Sequence, residues 1–315
     1  MPTLLAASAG GHLDELIRLR PRLGPLGDDV VWVTFETPQS RSRLADENVV
    51  FLPLIAPRDY QALARSLPRA RKLLSEIAPE AVVSTGSAIA LSLIPLARAR
   101  GIPCHYVESA ARSDGPSLTG RLLAKVHGVH LYTQYADWTG KGWHYAGSVF
   151  DGFAPGPRLE LADVSRVVVT LGMIKPYGFE SLVEKLLTLL PPTAEVLWQT
   201  GSTDVSRYPI EAHPTLPARE LDAAMREADL VIAHSGIGSS LAAIEAGHAP
   251  LLVPRRGHRG EHVDDHQQLI AADLAERGLA IAREVDELTF DDVAYAAQAR
   301  VQRVEASPPL MLAVA

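Results

Sequence analysis

Short apolar runs alternate with longer amphipathic segments along the whole chain. In the first half, the apolar runs predict strands at 3–7, 30–34, 49–53, 81–84, 105–107 and 129–132. The segments between these runs predict helices, most clearly at 12–23, 60–77 and 118–126. This alternation is typical of parallel sheets whose strands are joined by right-handed helical crossovers.

The second half repeats the pattern. Its apolar runs predict strands at 166–170, 195–199, 230–233, 250–253 and 279–282. Its amphipathic segments predict helices at 179–190, 218–228, 239–246, 265–277 and 290–302. Segment 151–164 has two prolines, two glycines and no clean periodicity, which indicates a linker. At 315 residues we therefore expect an α/β protein of two doubly wound, Rossmann-like domains, at 1–150 and 165–302, with a tail at 303–315.

The composition is that of an ordinary globular protein, with 47% hydrophobic and 21% charged residues. A formal net charge of -7 argues against a nucleic-acid partner, because proteins that bind nucleic acids usually present a basic surface. Cys104 is the only cysteine, which excludes an intramolecular disulfide and fits a reducing cytoplasm. We expect a cytoplasmic protein that binds no nucleic acid.

Three glycine-rich turns each follow a predicted strand: SAGGH at 8–12, TLGM at 170–173 and AHSGIGSS at 233–240. Where a strand passes into a helix, free backbone N–H groups and the positive helix end can bind an anion. The alternative for each turn is a simple helix cap. None matches the dinucleotide motif GxGxxG or the phosphate loop GxxxxGK[ST]. Two domains facing each other across a cleft would place all three turns around one nucleotide-type ligand, because open α/β sheets bind ligands beyond the carboxyl ends of their strands.

The segment HSGIGSSLAAIEAGHAPLLVPRRGHRGEHVDDHQQLIAADLAERG, at 234–278, resembles the donor-binding region of two-domain, metal-independent glycosyltransferases of the GT-B type. The strongest resemblance is to the peptidoglycan lipid II-forming N-acetylglucosaminyltransferase and the two-subunit dolichol-pathway N-acetylglucosaminyltransferase. The turn at 8–12 is similar to their N-terminal glycine loop. Segments 106–126 and 167–187 resemble the membrane subunit and the catalytic subunit of the dolichol-pathway enzyme, respectively. The chain thus resembles both of those subunits fused into one, without the membrane anchor.

This resemblance implies inverting transfer of a sugar from a UDP-sugar, bound by the C-terminal half, to an acceptor hydroxyl. It assigns His12 as the general base and Glu108 as an acidic residue on the acceptor side. Glu108 could orient the hydroxyl, act as the base itself, or cap the segment that follows. Gly10, Gly11 and Ser109 complete the acceptor side. Neither a cofactor nor a metal is expected, since the turn at 234–240 would stabilise the departing diphosphate.

On the donor side, the resemblance places His234 against the diphosphate, whereas the alternative is a histidine satisfied by a nearby carbonyl. Gln267 and Gln268 match a pair that binds the donor sugar, although a solvated first helical turn explains them almost as well. Ala242 occupies the position of the family's ribose-binding acid, and Glu245, three residues later, is the candidate substitute. The remaining residues expected at the donor are Gly172, Ala218, Arg219, Ser235, Gly236, Ile237, Gly238, Ser239 and Ser240.

Two further patterns have competing interpretations. The histidines at 248, 258, 262 and 266 suggest a metal site, but HVDDH lacks the glutamate of the zinc motif HExxH, so we expect none. Segment 58–72 carries five basic residues among leucines and alanines. A solvated helix face explains this segment best, and peripheral contact with the anionic inner face of a membrane is the alternative.

The acceptor could be a lipid-linked glycan precursor or a soluble natural-product intermediate. Two other functions suit the same architecture: a UDP-sugar 2-epimerase, and a nucleotide-sugar-binding subunit that requires a partner. A homodimer is a further open alternative.

Overall fold

The computed structural model describes residues 1–56, 59–160, 163–305 and 307–312. The chain forms two compact units, the first comprising Met1–Asp151 and Ser307–Ala315 and the second Gly152–Ala306. Arg58 of the basic segment, residues 161 and 162 of the expected linker, and residues 306 and 313–315 of the second unit and the tail lie outside the described residues.

Unit 1 is built on a seven-stranded, wholly parallel sheet with the strand order β3-β2-β1-β4-β5-β6-β7. The strands are β1 (Thr3–Ala7), β2 (Val30–Phe35), β3 (Val49–Leu52), β4 (Ala81–Gly86), β5 (Cys104–Val107), β6 (Val129–Thr133) and β7 (Trp143–Tyr145). The helices are α1 (Gly11–Leu19), α2 (Pro38–Arg43), α3 (Tyr60–Ile77), α4 (Ala88–Arg98) and α5 (Leu118–Leu123). Strands β1, β2 and β4 are buried at every position, because helices cover a parallel sheet on both faces.

Unit 2 contains a six-stranded parallel sheet with the order β11-β10-β9-β12-β13-β14 and a two-stranded antiparallel ribbon of β8 and β15. The strands are β8 (Phe153–Pro155), β9 (Arg166–Thr170), β10 (Glu195–Gln199), β11 (Ala212–His213), β12 (Leu230–His234), β13 (Leu251–Val253), β14 (Ile281–Ala282) and β15 (Val301–Arg303). The helices are α6 (Glu180–Leu189), α7 (Ala218–Glu227), α8 (Ile237–Glu245), α9 (His266–Glu276) and α10 (Phe290–Gln298). No helix within the described ranges is both long enough and apolar enough to cross a membrane.

Each sheet has a point where the strand order reverses. In unit 1 the first strand, β1, lies between β2 and β4, and in unit 2 the first strand of the six-stranded sheet, β9, lies between β10 and β12. At such a switch point the connections on either side leave on opposite faces of the sheet, which opens a crevice at the carboxyl ends of the two central strands. The turns after β1 and β4, and those after β9 and β12, are therefore the expected binding positions of the two units.

The α/β fold expected from the sequence is confirmed, and every predicted strand forms. The prediction of a helix over 290–302 is wrong at its end, because α10 stops at Gln298 and the backbone of Ala299 is extended. Residues 301–303 form β15 instead, which pairs with β8 inside the expected linker. Helix α8 begins at Ile237, two residues earlier than predicted, so the glycine turn is shorter than the sequence suggested.

Candidate active site

The turn after β12 leads directly into α8, whose N-cap is Gly236 and receives no side-chain capping bond. The first N–H groups of a helix have no acceptor within the helix. In the part of the chain that the structure describes, the buried hydroxyls of Ser235 and Ser240 also have no hydrogen-bond partner. The turn therefore offers several unused donors at the positive end of a helix, which is the arrangement that an anion requires.

The imidazole of His234 lies between two glycines at the switch point. A Cβ on Gly172, whose φ is +85°, would come within 2.8 Å of His234 Nε2, and a Cβ on Gly236 would overlap the same atom. Nδ1 of His234 lies 3.3 Å from the carbonyl oxygen of Thr170, which assigns the proton of the neutral ring to Nδ1. Burial, assisted by the nearby Arg255, lowers the pKa of His234 to about 3. The carbonyl contact expected in the alternative interpretation is thus present, while Nε2 faces both glycines.

Arg255, which the sequence analysis missed, follows β13 and is only 1% exposed. Its guanidinium donates to the carbonyls of Leu171 and Gly172, the latter at 3.1 Å. Gln267 is also buried, and its Oε1 accepts a hydrogen bond of 3.1 Å from the backbone N–H of Arg255. The only signal of this residue in the sequence is a basic pair at the end of a strand.

The other expected donor-side residues are dispersed. Gln268 is exposed, unlike its neighbour Gln267, and Ala218 and Arg219 begin α7 with only Ala218 buried. Glu245 ends α8, and its carboxylate pairs with Arg303 at 3.2 Å. Because Glu245 lies eight residues from the start of α8, it is about 12 Å along the helix axis from the turn. Glu245 therefore lies near the carboxyl end of α8, and its role as the substitute for the ribose-binding acid stays a prediction.

Two of the four histidines considered as metal ligands lie together. Ligand atoms of His262, Asp264 and His266 are within 4.8 Å of one another, so this group could hold a metal ion. In the structure both imidazoles instead contact one carboxylate oxygen of Asp264 through Nδ1, His262 at 3.3 Å and His266 at a shorter distance. His248 is buried with Nε2 on the Met225 carbonyl at 2.7 Å, and His258 is exposed.

In unit 1, the turns after β1 and β4 are joined by direct hydrogen bonds. The backbone N–H of Ser87 donates to Ser8 Oγ at 3.0 Å, and that of Ser8 donates to the Gly86 carbonyl at 2.7 Å. Gly10, at a φ of +93°, is the N-cap of α1, which begins at Gly11. The two turns and the start of α1 therefore form one surface at the switch point of unit 1.

His12 belongs to this surface, with its ring beside Gly86, where a Cβ would lie 3.3 Å from His12 Cε1. Its Nδ1 has no hydrogen-bond partner among the residues that the structure describes. Burial lowers the pKa of His12 to about 4, so the imidazole is neutral at pH 7. A neutral ring with an unused nitrogen can accept a proton from a hydroxyl.

Glu108 is buried, and its two carboxylate oxygens accept four hydrogen bonds. The donors are the Tyr106 hydroxyl at 3.0 Å, the Ser109 N–H at 3.1 Å, and the Ser117 N–H and hydroxyl, both at 2.9 Å. Burial raises the pKa of Glu108, and the bonds from Ser117 and Ser109 oppose that rise. This geometry matches the third of the expected roles, in which Glu108 caps the segment that follows it.

Glu15, a second buried carboxyl that the sequence analysis missed, lies three residues after His12 on α1. It is fully buried, and Oε1 accepts hydrogen bonds from the Ala110 N–H at 2.6 Å and Gln134 Nε2 at 3.4 Å. Burial, the main cause, raises its pKa to about 8. The available signal was an acidic residue on a helix face formed by leucines at 13, 16 and 19.

Residues 167–294 match the model of the Glycosyltransferase family 28 C-terminal domain. This range contains β9 from its second residue, the turn at 234–240, α8 and Arg255. A search of curated protein sequences finds no match.

Solved structures extend the comparison to nearly the whole chain. MurG of Acinetobacter baumannii is 19% identical, with a TM-score of 0.58, over 94% of this chain and 89% of that chain. The spinosyn rhamnosyltransferase SpnG, complexed with thymidine diphosphate, is 16% identical with a TM-score of 0.55 over 94% and 91%. The chain has the GT-B glycosyltransferase fold.

MnaA of S. aureus, solved with UDP, shares this fold with 11% identity and a TM-score of 0.57 over 88% of each chain. The resemblance to two-domain GT-B glycosyltransferases inferred from the sequence is thereby confirmed, and the match to the family 28 C-terminal domain falls in the second unit.

Proposed function

We propose that this GT-B protein is an inverting glycosyltransferase that transfers a sugar from a UDP-sugar to an acceptor hydroxyl. The observation that carries the proposal is the turn at 234–240, which contains the N-terminus of α8 and two buried hydroxyls without a described partner, at the switch point of the segment that matches the family 28 domain. Two proteins of similar fold were solved with nucleoside diphosphates, UDP in MnaA and thymidine diphosphate in SpnG. Their ligands support a nucleotide-sugar donor here.

In the proposed reaction the acceptor oxygen attacks C1 of the sugar, while the bond from C1 to the diphosphate oxygen breaks. The electron pair of that bond leaves with UDP, and the acceptor proton passes to the unpartnered Nδ1 of His12 or to the other nitrogen of its ring. The N–H groups at the start of α8 and the hydroxyls of Ser235 and Ser240 would stabilise the charge that develops on the departing diphosphate. No cofactor or metal takes part in this scheme.

The function is tested by incubating the protein with UDP-sugars and TDP-sugars, together with lipid-linked and soluble acceptors. The expected result is a glycoside whose anomeric configuration, read by NMR, is opposite to that of the donor. A product with retained configuration would contradict the inverting mechanism. Conversion of UDP-N-acetylglucosamine to its manno isomer without any acceptor would identify a 2-epimerase instead, and turnover only after a second protein is added would identify a binding subunit.

A lipid-linked acceptor would require the protein to approach a membrane, and α3 suits that purpose. Arg65, Arg69, Arg71 and Lys72 are exposed on this helix, and Leu67 and Tyr60 are exposed beside them. Each basic residue near an anionic leaflet contributes about 1 kcal/mol to binding. If the acceptor is lipid-linked, we expect co-sedimentation with phosphatidylglycerol vesicles, reduced by Arg65→Glu with Arg69→Glu, and none with phosphatidylcholine vesicles. Equal binding of the double variant would show that α3 is only a solvated face.

A further inference from the structure

We propose that Arg255 is the cation that binds the diphosphate of the donor nucleotide. This inference rests on the proposed function and assigns to the donor site a residue outside the 234–240 turn. Three observations support it: the guanidinium lies beside Gly172 and His234, it has no ion-pair partner among the described residues, and its side chain is fixed by neighbouring groups.

The guanidinium lies at the same glycine as the His234 imidazole. A Cβ on Gly172 would be 3.0 Å from Arg255 Nη2 and 2.8 Å from His234 Nε2, so the two side chains flank one Cα. His234 is the last residue of β12, immediately before the N-cap region of α8. Arg255 therefore reaches from the end of β13 to the crevice where the unused N–H groups of α8 are found.

The guanidinium of Arg255 is not neutralised by a direct ion pair in the described residues. Its buried Nε has no hydrogen-bond partner among them. Two acids, Glu261 and Glu180, act on it electrostatically without forming an ion pair, and Glu261 accepts hydrogen bonds from the Arg256 N–H at 3.0 Å and from the Ser181 hydroxyl. Burial lowers the pKa of Arg255 to about 10, which still leaves it charged at neutral pH.

A buried charge without an opposite charge is costly to a folded protein, and carbonyl acceptors satisfy its N–H groups without neutralising it. The adjacent Arg256 shows the usual solution, with Asp265 at 3.1 Å and Glu284 at 2.7 Å. The missing ion-pair partner of Arg255 is supplied if an anion occupies the crevice beside Gly172. A diphosphate fits this role, because guanidinium donors match phosphate oxygens in pairs.

The side chain is also fixed in advance of binding. Gln267 holds the backbone of Arg255 at 3.1 Å, the Leu171 and Gly172 carbonyls hold one end of the guanidinium, and the Phe179 ring lies 5.8 Å from its carbon. A cation held in place before the reaction stabilises developing negative charge without reorganisation. Arg255 would thus supply at the diphosphate the positive charge that complements the helix N-terminus.

The test compares the binding of UDP, inorganic pyrophosphate and uridine by calorimetry in the wild type, Arg255→Met and Arg255→Lys. Arg300→Met is the matched control, because Arg300 also donates to backbone carbonyls, those of Ala297, Ala299 and Asp229, but Asp229 precedes β12 at the amino-terminal edge of the sheet. We expect Arg255→Met to weaken UDP and pyrophosphate by about 10- to 100-fold, the usual range for a hydrogen bond to a charged group. Uridine affinity should not change, and Arg300→Met should bind all three ligands as the wild type does.

Affinities of Arg255→Met for UDP and pyrophosphate within twofold of the wild type would overturn the proposal, as would a wild type that binds neither. If Arg255→Met does not fold, Arg255→Lys decides, because lysine keeps the charge but loses the paired donors. A loss of UDP affinity of about fivefold or more in Arg255→Lys, with uridine unchanged, supports the proposal. Unchanged UDP affinity in that variant refutes it.

The two proposals fail in different ways. A wild type that binds pyrophosphate through Arg255 but transfers no sugar would overturn the proposed function and leave the anion site in place. A wild type that transfers sugar, in which Arg255→Met keeps full UDP affinity, would overturn only the role of Arg255.

Discussion

Gly236 gives a prediction about the turn at 234–240 that does not depend on knowing the substrate. Its backbone dihedrals, φ -86° and ψ 138°, are open to any residue, so alanine introduces no backbone strain. A Cβ at this position would nevertheless overlap Nε2 of His234. The imidazole cannot rotate away freely, because its Nδ1 is held by the Thr170 carbonyl at 3.3 Å. Gly236→Ala must therefore displace either the ring or the start of α8.

The magnitude follows from three contributions. Replacing glycine by alanine at an N-cap costs about 0.5–1 kcal/mol of stability. Alanine also lowers the conformational entropy of the unfolded chain, which stabilises the folded protein by about 0.4–1 kcal/mol, so these two contributions nearly cancel. Overpacking of a filled interior typically costs about 1–3 kcal/mol. Gly236→Ala should therefore destabilise unit 2 by about 1–3 kcal/mol, nearly all of it from the contact with His234.

The assay is a double-mutant cycle by urea unfolding of the wild type, Gly236→Ala, His234→Ala and the double variant. Removing the imidazole removes the overlap, so Gly236→Ala should cost less than about 0.5 kcal/mol in the His234→Ala background. Gly260→Ala is the control, because Gly260 has a φ of +71° and open space around its Cβ position. Its cost arises from the backbone and should be equal in both backgrounds. Additive energies for Gly236→Ala and His234→Ala would refute the geometry of the turn.

Three further predictions concern chemistry and pH. His12→Ala should keep UDP affinity while turnover falls by about 10²- to 10⁴-fold, and a variant that keeps more than about a third of the turnover would exclude His12 as the base. Because a base must be unprotonated, wild-type kcat/KM should rise as the pH increases through about 4 and stay level above it. Chelation with EDTA should leave turnover nearly intact, and activity that disappears with EDTA and returns with magnesium or manganese would contradict a metal-free reaction. Burial raises the pKa of Glu15 from 4.5 to about 8, so the folded protein keeps a proton that the unfolded chain loses, and stability should fall between those pH values. Glu15→Gln should remove about 1.4 kcal/mol per pH unit of that fall, measured by urea unfolding across the range, and an unchanged slope would show that Glu15 is ionised.

The sequence pattern was sufficient for the two parallel sheets, because strands buried on both faces appear as continuous apolar runs that need no knowledge of their neighbours. It missed β7, β8, β11 and β15, which have only two or three residues and no measurable periodicity. It also extended α10 too far. The residues after Gln298 keep an apolar and polar alternation, and only their pairing with β8, distant in sequence, makes them a strand.

The same distinction between local and distant information applies to the candidate site. The glycine turns were visible because a strand, small residues and a helix follow one another within a few positions. The surroundings of Glu108 could not be predicted from the sequence, since two of its four hydrogen-bond donors belong to Ser117, nine residues away. The number of these hydrogen bonds determines whether the carboxylate can act as a base or caps the segment that follows.

Arg255 is the clearest case of a site residue that the sequence could not predict, because it and Arg256 are adjacent in sequence and identical in type. Arg256 lies beside two carboxylates, on Asp265 and Glu284. Arg255 turns instead towards carbonyls of the loop after β9, which are 83 and 84 residues away along the chain. Side chains alternate between opposite directions along an extended backbone, so one of two neighbouring arginines can reach the switch point while the other cannot. Sequence alone does not fix which one does, because the order of β9, β12 and β13 in the sheet decides it.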